Sequence, residues 1–184
     1  MKKPFLALTL LILTTVAQAQ TSTMPTPAEA GSLEAMKPHF GVRAGLSDTN
    51  ENYNTAGEFG AEIGFQPYVP IGVALEFSTF SSNGQGKADL DRSHLLARGT
   101  YNFSGNTFVR HTFLGAGAGV VRDTSGDDTD TRMGLAVLGG FDVPIAGSTV
   151  ERREFTVGAN ANYLFVSNSG ADTFSLNGAL KYWF

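Results

Sequence analysis

The carboxyl-terminal stretch FSLNGALKYWF, from Phe174 to Phe184, decides the fold. Every second residue counted back from the end is apolar, aromatic or glycine: Phe184, Tyr182, Leu180, Gly178, Leu176 and Phe174. The residues between them are mostly polar or small: Trp183, Lys181, Ala179, Asn177 and Ser175. Strict period-2 alternation is typical of a β-strand whose two faces meet different surroundings. The stretch is therefore predicted to be a strand with one apolar and one polar face.

Seven further segments repeat this alternation, most of them near the ~9–11 residues that a tilted membrane strand needs. They are HFGVRAGLS (39–47), GEFGAEIGFQ (57–66), IGVALEFSTF (71–80), HLLARGTYNF (94–103), FVRHTFLGAGAGVV (108–121), MGLAVLGGFDV (133–143) and EFTVGANANYLF (154–165). The fifth is irregular, because the apolar face that contains Leu114 and Val120 has the opposite parity to Val109 and Phe113. A bulge would reconcile its two halves, and its register stays open.

The connections alternate as regularly as the strands. PYVP (67–70) and SGNT (104–107) are short, whereas DTNENYNTA (48–56), SSNGQGKAD (81–89), RDTSGDDTDT (122–131) and SNSGAD (167–172) are polar and mostly longer. PIAGSTVERR (144–153) is an exception, a long connection on the short-turn side. Short turns on one side and polar loops on the other are typical of membrane barrels. The sequence predicts an all-β fold, an eight-stranded antiparallel up-and-down transmembrane β-barrel over residues 38–184.

The chain begins MKKPFLALTLLILTTVAQAQ, with two lysines, an apolar run and an AQA site. This order predicts a cleaved secretory signal peptide over residues 1–19. No segment offers the ~20 consecutive apolar residues of a membrane-spanning helix, so a helical membrane protein is excluded. Residues 20–37, rich in Thr, Pro, Ala and Ser, are predicted to form a flexible arm. The chain has no cysteine, so its stability has to come from a source other than disulfides, such as a closed sheet.

The sizes of the side chains indicate which face meets lipid. The polar face carries many Gly, Ala, Ser, Thr and Asn residues and few charges, which suits the narrow lumen of an eight-stranded barrel better than a solvated exterior. Aromatic residues of the apolar parity gather near the short turns, as in an interfacial girdle: Phe40, Phe65, Tyr101, Phe103, Phe141, Phe155, Tyr182 and Phe184. The apolar face is therefore predicted to point outward into hydrocarbon.

Residues 39–184 resemble the small outer-membrane β-barrel proteins of the OmpA/OmpX type. The leader ending in AQA, the eight alternating segments and the terminal strand LNGALKYWF carry the resemblance. It implies a location in the cell outer membrane, with the arm in the periplasm. It also implies that Leu180, Tyr182 and Phe184 are the signal read by the barrel-assembly machinery.

Charged residues on the inward parity are candidate functional residues: Arg43, Glu62, Glu76, Arg98, Glu154 and Lys181, with Arg110 if the fifth strand keeps its first register. Reflection through the turn near Val69 places Glu62 beside Glu76. Two adjacent carboxylates in a narrow lumen need cations next to them, so we expect Arg43 and Arg98 to join them at mid-barrel. Lys181 is expected to reach Glu154. The cluster is interpreted either as a polar plug or as the gate of a narrow ion path.

Other kinds of chemistry lack support in the sequence. The net charge of −4 argues against nucleic-acid binding. Ser93 and His94 are adjacent, so they point to opposite faces of a strand, and no nucleophile, base and orienter come together. No catalytic residue, cofactor or enzymatic activity is predicted. The acidic stretch DTSGDDTD (123–130) lacks the spacing and closing glutamate of an EF-hand, so no metal site is predicted either.

The predicted function is therefore structural or interactional. We expect a monomer with a plugged polar lumen and acidic loops at the cell surface, in contact with outer-membrane lipids and lipopolysaccharide, whose surface ligand the sequence does not identify. The alternative is a narrow porin-like diffusion channel gated by the lumen charges. A barrel enzyme that modifies lipid A is the third and least favoured reading.

Overall fold

The computed structural model describes residues 37–51, 53–68, 71–84, 88–104, 111–148, 153–168 and 171–184. The predicted signal peptide, nearly all of the predicted arm and Arg110 lie outside these residues. Among the described residues, no helix is long and apolar enough to cross a membrane.

In the described part of the chain, eight strands form one closed antiparallel barrel. They are β1 (Lys37–Thr49), β2 (Ala56–Tyr68), β3 (Ile71–Ser82), β4 (Leu90–Ser104), β5 (His111–Ser125), β6 (Asp128–Ser148), β7 (Arg153–Val166) and β8 (Thr173–Trp183). Each strand pairs with its neighbours in the chain, and β8 closes onto β1. The prediction of an eight-stranded up-and-down barrel is confirmed.

The two ends of the barrel differ. At the turn end, β1 begins and β8 ends, and the β2–β3 hairpin reverses between Tyr68 and Ile71. The opposite, loop end carries the connections that follow β1, β3, β5 and β7. Both ends of the barrel sequence therefore lie together at the turn end, as an even number of strands requires.

The outer surface of the barrel is apolar. Phe59, Ile63 and Leu135 are exposed by 66%, 63% and 62%, and the same parity exposes large apolar side chains on every strand. Soluble monomers do not expose an apolar belt of this extent to water. Rings pack against each other at the turn end, with centroids 4.7 Å apart for Phe155 and Tyr182. This exterior matches a barrel embedded in hydrocarbon and bordered by interfacial aromatic residues.

The fifth strand has a single register. β5 pairs with β4 and β6 without interruption from His111 to Ser125. The bulge considered from the sequence is therefore absent from this strand. Leu114 and Val120 point outward, as expected if their parity is the apolar face of the strand. Phe113 has the opposite parity and is buried inside the barrel.

The connection predicted as a polar loop at 122–131 is mostly strand. The ladder continues to the pair Ser125↔Asp128, which leaves only Gly126 and Asp127 in the turn. Gly126 has a φ of +62°, a conformation that hairpin turns give to glycine. The loop prediction was wrong because a strand that extends beyond the lipid needs no apolar face.

The long connection predicted at 144–153 is also partly strand. β6 continues to Ser148, and its ladder with β7 shifts register between Pro144 and Ala146. A proline has no N–H to donate, and it is tolerated in a sheet at such an irregularity. The connection looked long because proline and glycine interrupt the pattern while the strand goes on.

Candidate functional site

Four of the six predicted lumen charges come from the neighbouring strands β1 to β4. Glu62 and Glu76 lie directly opposite each other across β2 and β3, and both are buried. Arg98 on β4 donates to Glu62 at 2.5 Å and also forms an ion pair with Glu76. Arg43 on β1 forms an ion pair with the other carboxylate oxygen of Glu76, Oε1. The structure thus places a guanidinium group on each side of the two carboxylates, which offsets their mutual repulsion.

Lys181 on β8 extends the cluster toward the turn end. Its Nζ lies 3.2 Å from Glu62 and 3.0 Å from Asp142, and 5.0 Å from the centroid of the Phe113 ring. Glu154 is buried on β7, where it pairs in register with Trp183, and Lys181 pairs with Thr156. The predicted contact between Lys181 and Glu154 stays a prediction, while Glu62 and Asp142 hold the ammonium group in the structure.

The predicted charges and the polar residues that contact them form one lumen network, and several of its members were not predicted. Glu58 accepts from Arg43 at 3.1 Å and from the hydroxyl of Ser47, and Asp142 accepts from Lys181. His94 is buried with its Nε2 3.5 Å from Glu76. All of these residues lie on the inward parity of their strands, so parity was the signal that could have found them.

The opposite wall of the lumen is apolar. Leu96, Val121, Ala136, Leu164 and Val166 form one buried cluster that β4 to β7 contribute. The first two are fully buried. The lumen is therefore filled at mid-height by a charged network on one side and by packed hydrocarbon side chains on the other.

The turn end of the lumen is narrowed by aromatic rings. The imidazole of His39 packs on the indole of Trp183 with centroids 4.3 Å apart, and the indole N–H donates to Thr156 at 3.1 Å. A cavity of about 30 Å³ lies beside them, lined in part by Glu62 and Arg98. This volume is large enough to hold a water molecule, which needs about 10–15 Å³.

The predicted assembly residues lie at the turn end of β8. Leu180 is on the lipid face, opposite Val42 of β1. The ring of Tyr182 contacts the ring of Phe184 with centroids 4.9 Å apart. The backbone N–H of Phe184 donates to Pro38 at 3.1 Å. Their predicted role as an assembly signal remains a prediction.

A second charged group lies in the lumen toward the loop end. Arg92 is buried and donates through Nε and Nη2 to the two oxygens of Asp123, both at 2.7 Å, and to Thr173 at 2.6 Å. Arg132 donates to Asp123 at 3.2 Å and to Asp130 at 2.7 Å. Two carboxylates of the acidic stretch 123–130, those of Asp123 and Asp130, are thus bound by arginines. The described residues contain no group of three or more His, Cys, Asp or Glu side chains arranged to hold a metal.

Above this group lies a cavity of about 190 Å³, here called the mouth cavity. Its lining comes from all parts of the loop end: Glu51, Tyr53, Leu90, Arg92, Asp123, Ser125, Asp128, Asp130, Arg132 and Ala171. The loops around it are tied together by backbone hydrogen bonds, from Asn54 to Asn83 at 3.1 Å and from Asn50 to Asp172 at 3.0 Å. The mouth cavity is therefore a concave, partly charged surface whose described loop residues are joined by backbone hydrogen bonds.

No protein-family model and no curated protein matches the sequence. Solved structures do match. Neisserial surface protein A has 15% identity over 80% of this chain and 96% of its own, with a TM-score of 0.59. Ail, the attachment invasion locus protein of Yersinia pestis, solved with the heparin analogue sucrose octasulfate, has 15% identity over 81% and 97%, with a TM-score of 0.51. The outer membrane protein OprG of Pseudomonas aeruginosa has 14% identity over 83% and 99%, with a TM-score of 0.47.

The chain shares the fold of the small outer-membrane β-barrels. At this identity the similarity is one of fold alone, and it agrees with the OmpA/OmpX resemblance of the sequence. This similarity carries no information about the lumen network or the mouth cavity, which are known from the residues of this chain alone.

Proposed function

We propose that the protein is a monomeric outer-membrane barrel with a closed lumen, which acts through its loop end at the cell surface. The membrane location rests on the apolar exterior and on the shared fold. The assignment of the loop end to the outside rests on the other end of the barrel, where the shorter connections lie and where β1 begins and β8 ends, which is the arrangement of bacterial outer-membrane barrels.

The filled mid-lumen is the observation that carries this proposal. Glu76, Leu96 and Val121 are 0% exposed, and Leu164 is 1% exposed. These side chains come from both walls, so a permeating ion would have to displace paired charges or packed apolar groups. Small barrels of eight strands are generally filled by their side chains in this way.

Conductance in planar lipid bilayers tests the closed lumen. The wild-type protein and the Glu76→Ala variant are both expected to give near-zero current, because removal of one carboxylate leaves the apolar wall in place. A wild-type current that Glu76→Ala changes would instead establish the narrow gated channel, and liposome swelling would then measure its solute limit. Heat-modifiable migration in a detergent gel checks that each variant is folded.

Surface display of the loop end is tested separately. A short epitope inserted between Gly126 and Asp127 is expected to bind antibody on intact cells, because this turn is exposed at the tip of the β5–β6 hairpin. An insertion at 149–152, on the turn side, is the matched control and is expected to bind antibody only after the cells are lysed. The reverse pattern would contradict the proposed orientation.

The proposed partners are lipids, lipopolysaccharide and a surface ligand. We infer no enzymatic role, since Ser93 and His94 lie on opposite faces of β4. Ail was solved with a sulfated sugar, the heparin analogue sucrose octasulfate. The mouth cavity here carries more carboxylates than guanidinium groups, so we do not expect this chain to take an anionic ligand of that kind.

A further inference from the structure

The β6 strand has a free edge at the loop end. β6 pairs with β5 as far as Asp128, but with β7 only as far as Gly134. No described residue pairs with positions 128–132 on the β7 side. The backbone of Met133 marks this side, because its carbonyl accepts from the Ser167 N–H at 3.0 Å and its N–H donates to the Ser167 hydroxyl at 3.2 Å.

The free edge presents the backbone groups of two threonines. In an antiparallel sheet, the N–H and C=O of one residue point to the same neighbour, and those of the next residue point to the other. Thr131 and Thr129 have the parity of Met133, so their N–H and C=O groups point to the open side. Their side chains are exposed on the outer surface.

The alternate residues of this edge face the mouth cavity. Asp128, Asp130 and Arg132 line it, together with Glu51 and Asp123. Asp123 is held by two arginines, and Arg132 has two carboxylate partners. The remaining charge of the cavity is negative. Residues 128–132 therefore present an unpaired strand edge, and alternate side chains of the same residues line an acidic cavity.

We propose that this edge and the mouth cavity together bind an extended, cationic segment of a partner protein as an added β-strand. Main-chain hydrogen bonds to Thr129 and Thr131 give strand addition its affinity, and a pocket for alternate side chains gives it specificity. A lysine or arginine on the inward face of the added strand points into the mouth cavity toward Asp128 and Asp130. The inference deepens the proposed surface role and rests on it.

The charges of the edge favour this occupant over a second copy of the chain. Antiparallel pairing of two β6 edges with Thr129 opposite Thr131 would place Asp130 of one copy directly opposite Asp130 of the other, while Arg132 is already held by carboxylates of its own chain. Like charges directly opposite each other are destabilising in a sheet. An acidic segment is disfavoured for the same reason, whereas a basic one gains both backbone pairing and charge complementarity.

Peptide binding to the folded barrel in lipid nanodiscs tests the proposal. The probe is the labelled peptide Thr-Val-Thr-Lys-Thr-Val-Thr, followed by fluorescence anisotropy. Its matched controls replace Lys by Glu or methylate alternate backbone nitrogens. We expect the Lys peptide to bind, the Glu peptide to lose at least about tenfold in affinity, and the methylated peptide to lose most of its binding.

Two protein variants separate the charge contribution. Asp128→Asn with Asp130→Asn is expected to weaken the Lys peptide by about tenfold or more. Asp91→Asn removes a charge at the same end of the barrel, where the exposed Asp91 accepts from Ser81 outside the mouth cavity, and is expected to change affinity less than twofold. Heat-modifiable migration confirms that both variants fold.

Three results would overturn the inference: equal binding of the methylated peptide, equal binding by the Asp128 and Asp130 variant, or no binding of any peptide. A dimer of the free protein that the same variant stabilises would assign the edge to a second copy instead. None of these results bears on the closed lumen, which bilayer conductance measures independently.

Discussion

Substitution of Glu76 by glutamine tests whether the lumen network stabilises the barrel. Glu76 is fully buried between Arg43 and Arg98, and glutamine keeps its shape while it removes its charge. Breaking a buried ion pair by removing one partner costs roughly 3–5 kcal/mol. Arg43 keeps Glu58 at 3.1 Å and Arg98 keeps Glu62 at 2.5 Å. Because each cation retains one carboxylate, we expect the lower end of that range, about 3 kcal/mol.

The assay is urea unfolding of the protein folded into lipid vesicles. Trp183 is the single tryptophan of the chain and is buried at the turn end, so its fluorescence reports loss of the lumen. The matched control is Glu51→Gln, the same chemical change at an exposed position, which is expected to stay within about 0.5 kcal/mol of wild type. Equal unfolding free energies for the two variants would refute the stabilising role of the network.

Three further changes have definite expected outcomes. Gly126→Ala should lower the unfolding free energy by about 1–2 kcal/mol because of its positive φ, whereas Gly57→Ala, where an added Cβ meets nothing within 4 Å, should be neutral in the same urea titration. Ala116→Arg on the lipid face should cost about 2–4 kcal/mol in vesicles, and a neutral result would count against a membrane-embedded exterior. Deletion of Phe184 should reduce the amount of protein in outer-membrane fractions more than the stability of refolded protein, since its backbone contributes one hydrogen bond to Pro38; normal outer-membrane levels would contradict its assembly role.

Parity explains how much of this fold the sequence predicts. Side chains in a regular strand alternate between two faces, so the outward residues of β8 and the inward position of Arg43 follow from counting. The opposition of Glu62 and Glu76 follows from reflection through one short turn. A bulge would break such counting. The register shifts in the described strands, between Phe65 and Tyr68 in β2 and between Pro144 and Ala146 in β6, lie near the turn end, beyond the residues that fill the lumen.

Composition was less informative than parity. Leu96 and Leu164 stand on the polar parity and form the apolar wall, although their strands gave no sign that the lumen has two unlike sides. Asp128 and Thr131 belong to a strand, although their polar, glycine-bounded setting is typical of a loop. In both cases the local sequence indicates which face of the strand a residue occupies. What surrounds that face depends on the position of the residue in the barrel, both its height and its side of the lumen.

Register is the property that alternation leaves undetermined. A slip of two residues between β8 and β1 keeps every side chain on its face, so the lipid face alone does not oppose it. Such a slip moves the strands by about 7 Å, at ~3.4 Å per residue. It would separate the hydroxyls of Ser47 and Ser175, which lie 2.7 Å apart, and would carry Lys181 away from Glu62. The polar contacts of the lumen therefore select one closure of the barrel among several that the apolar face would accept, a structural role that does not depend on whether the lumen conducts.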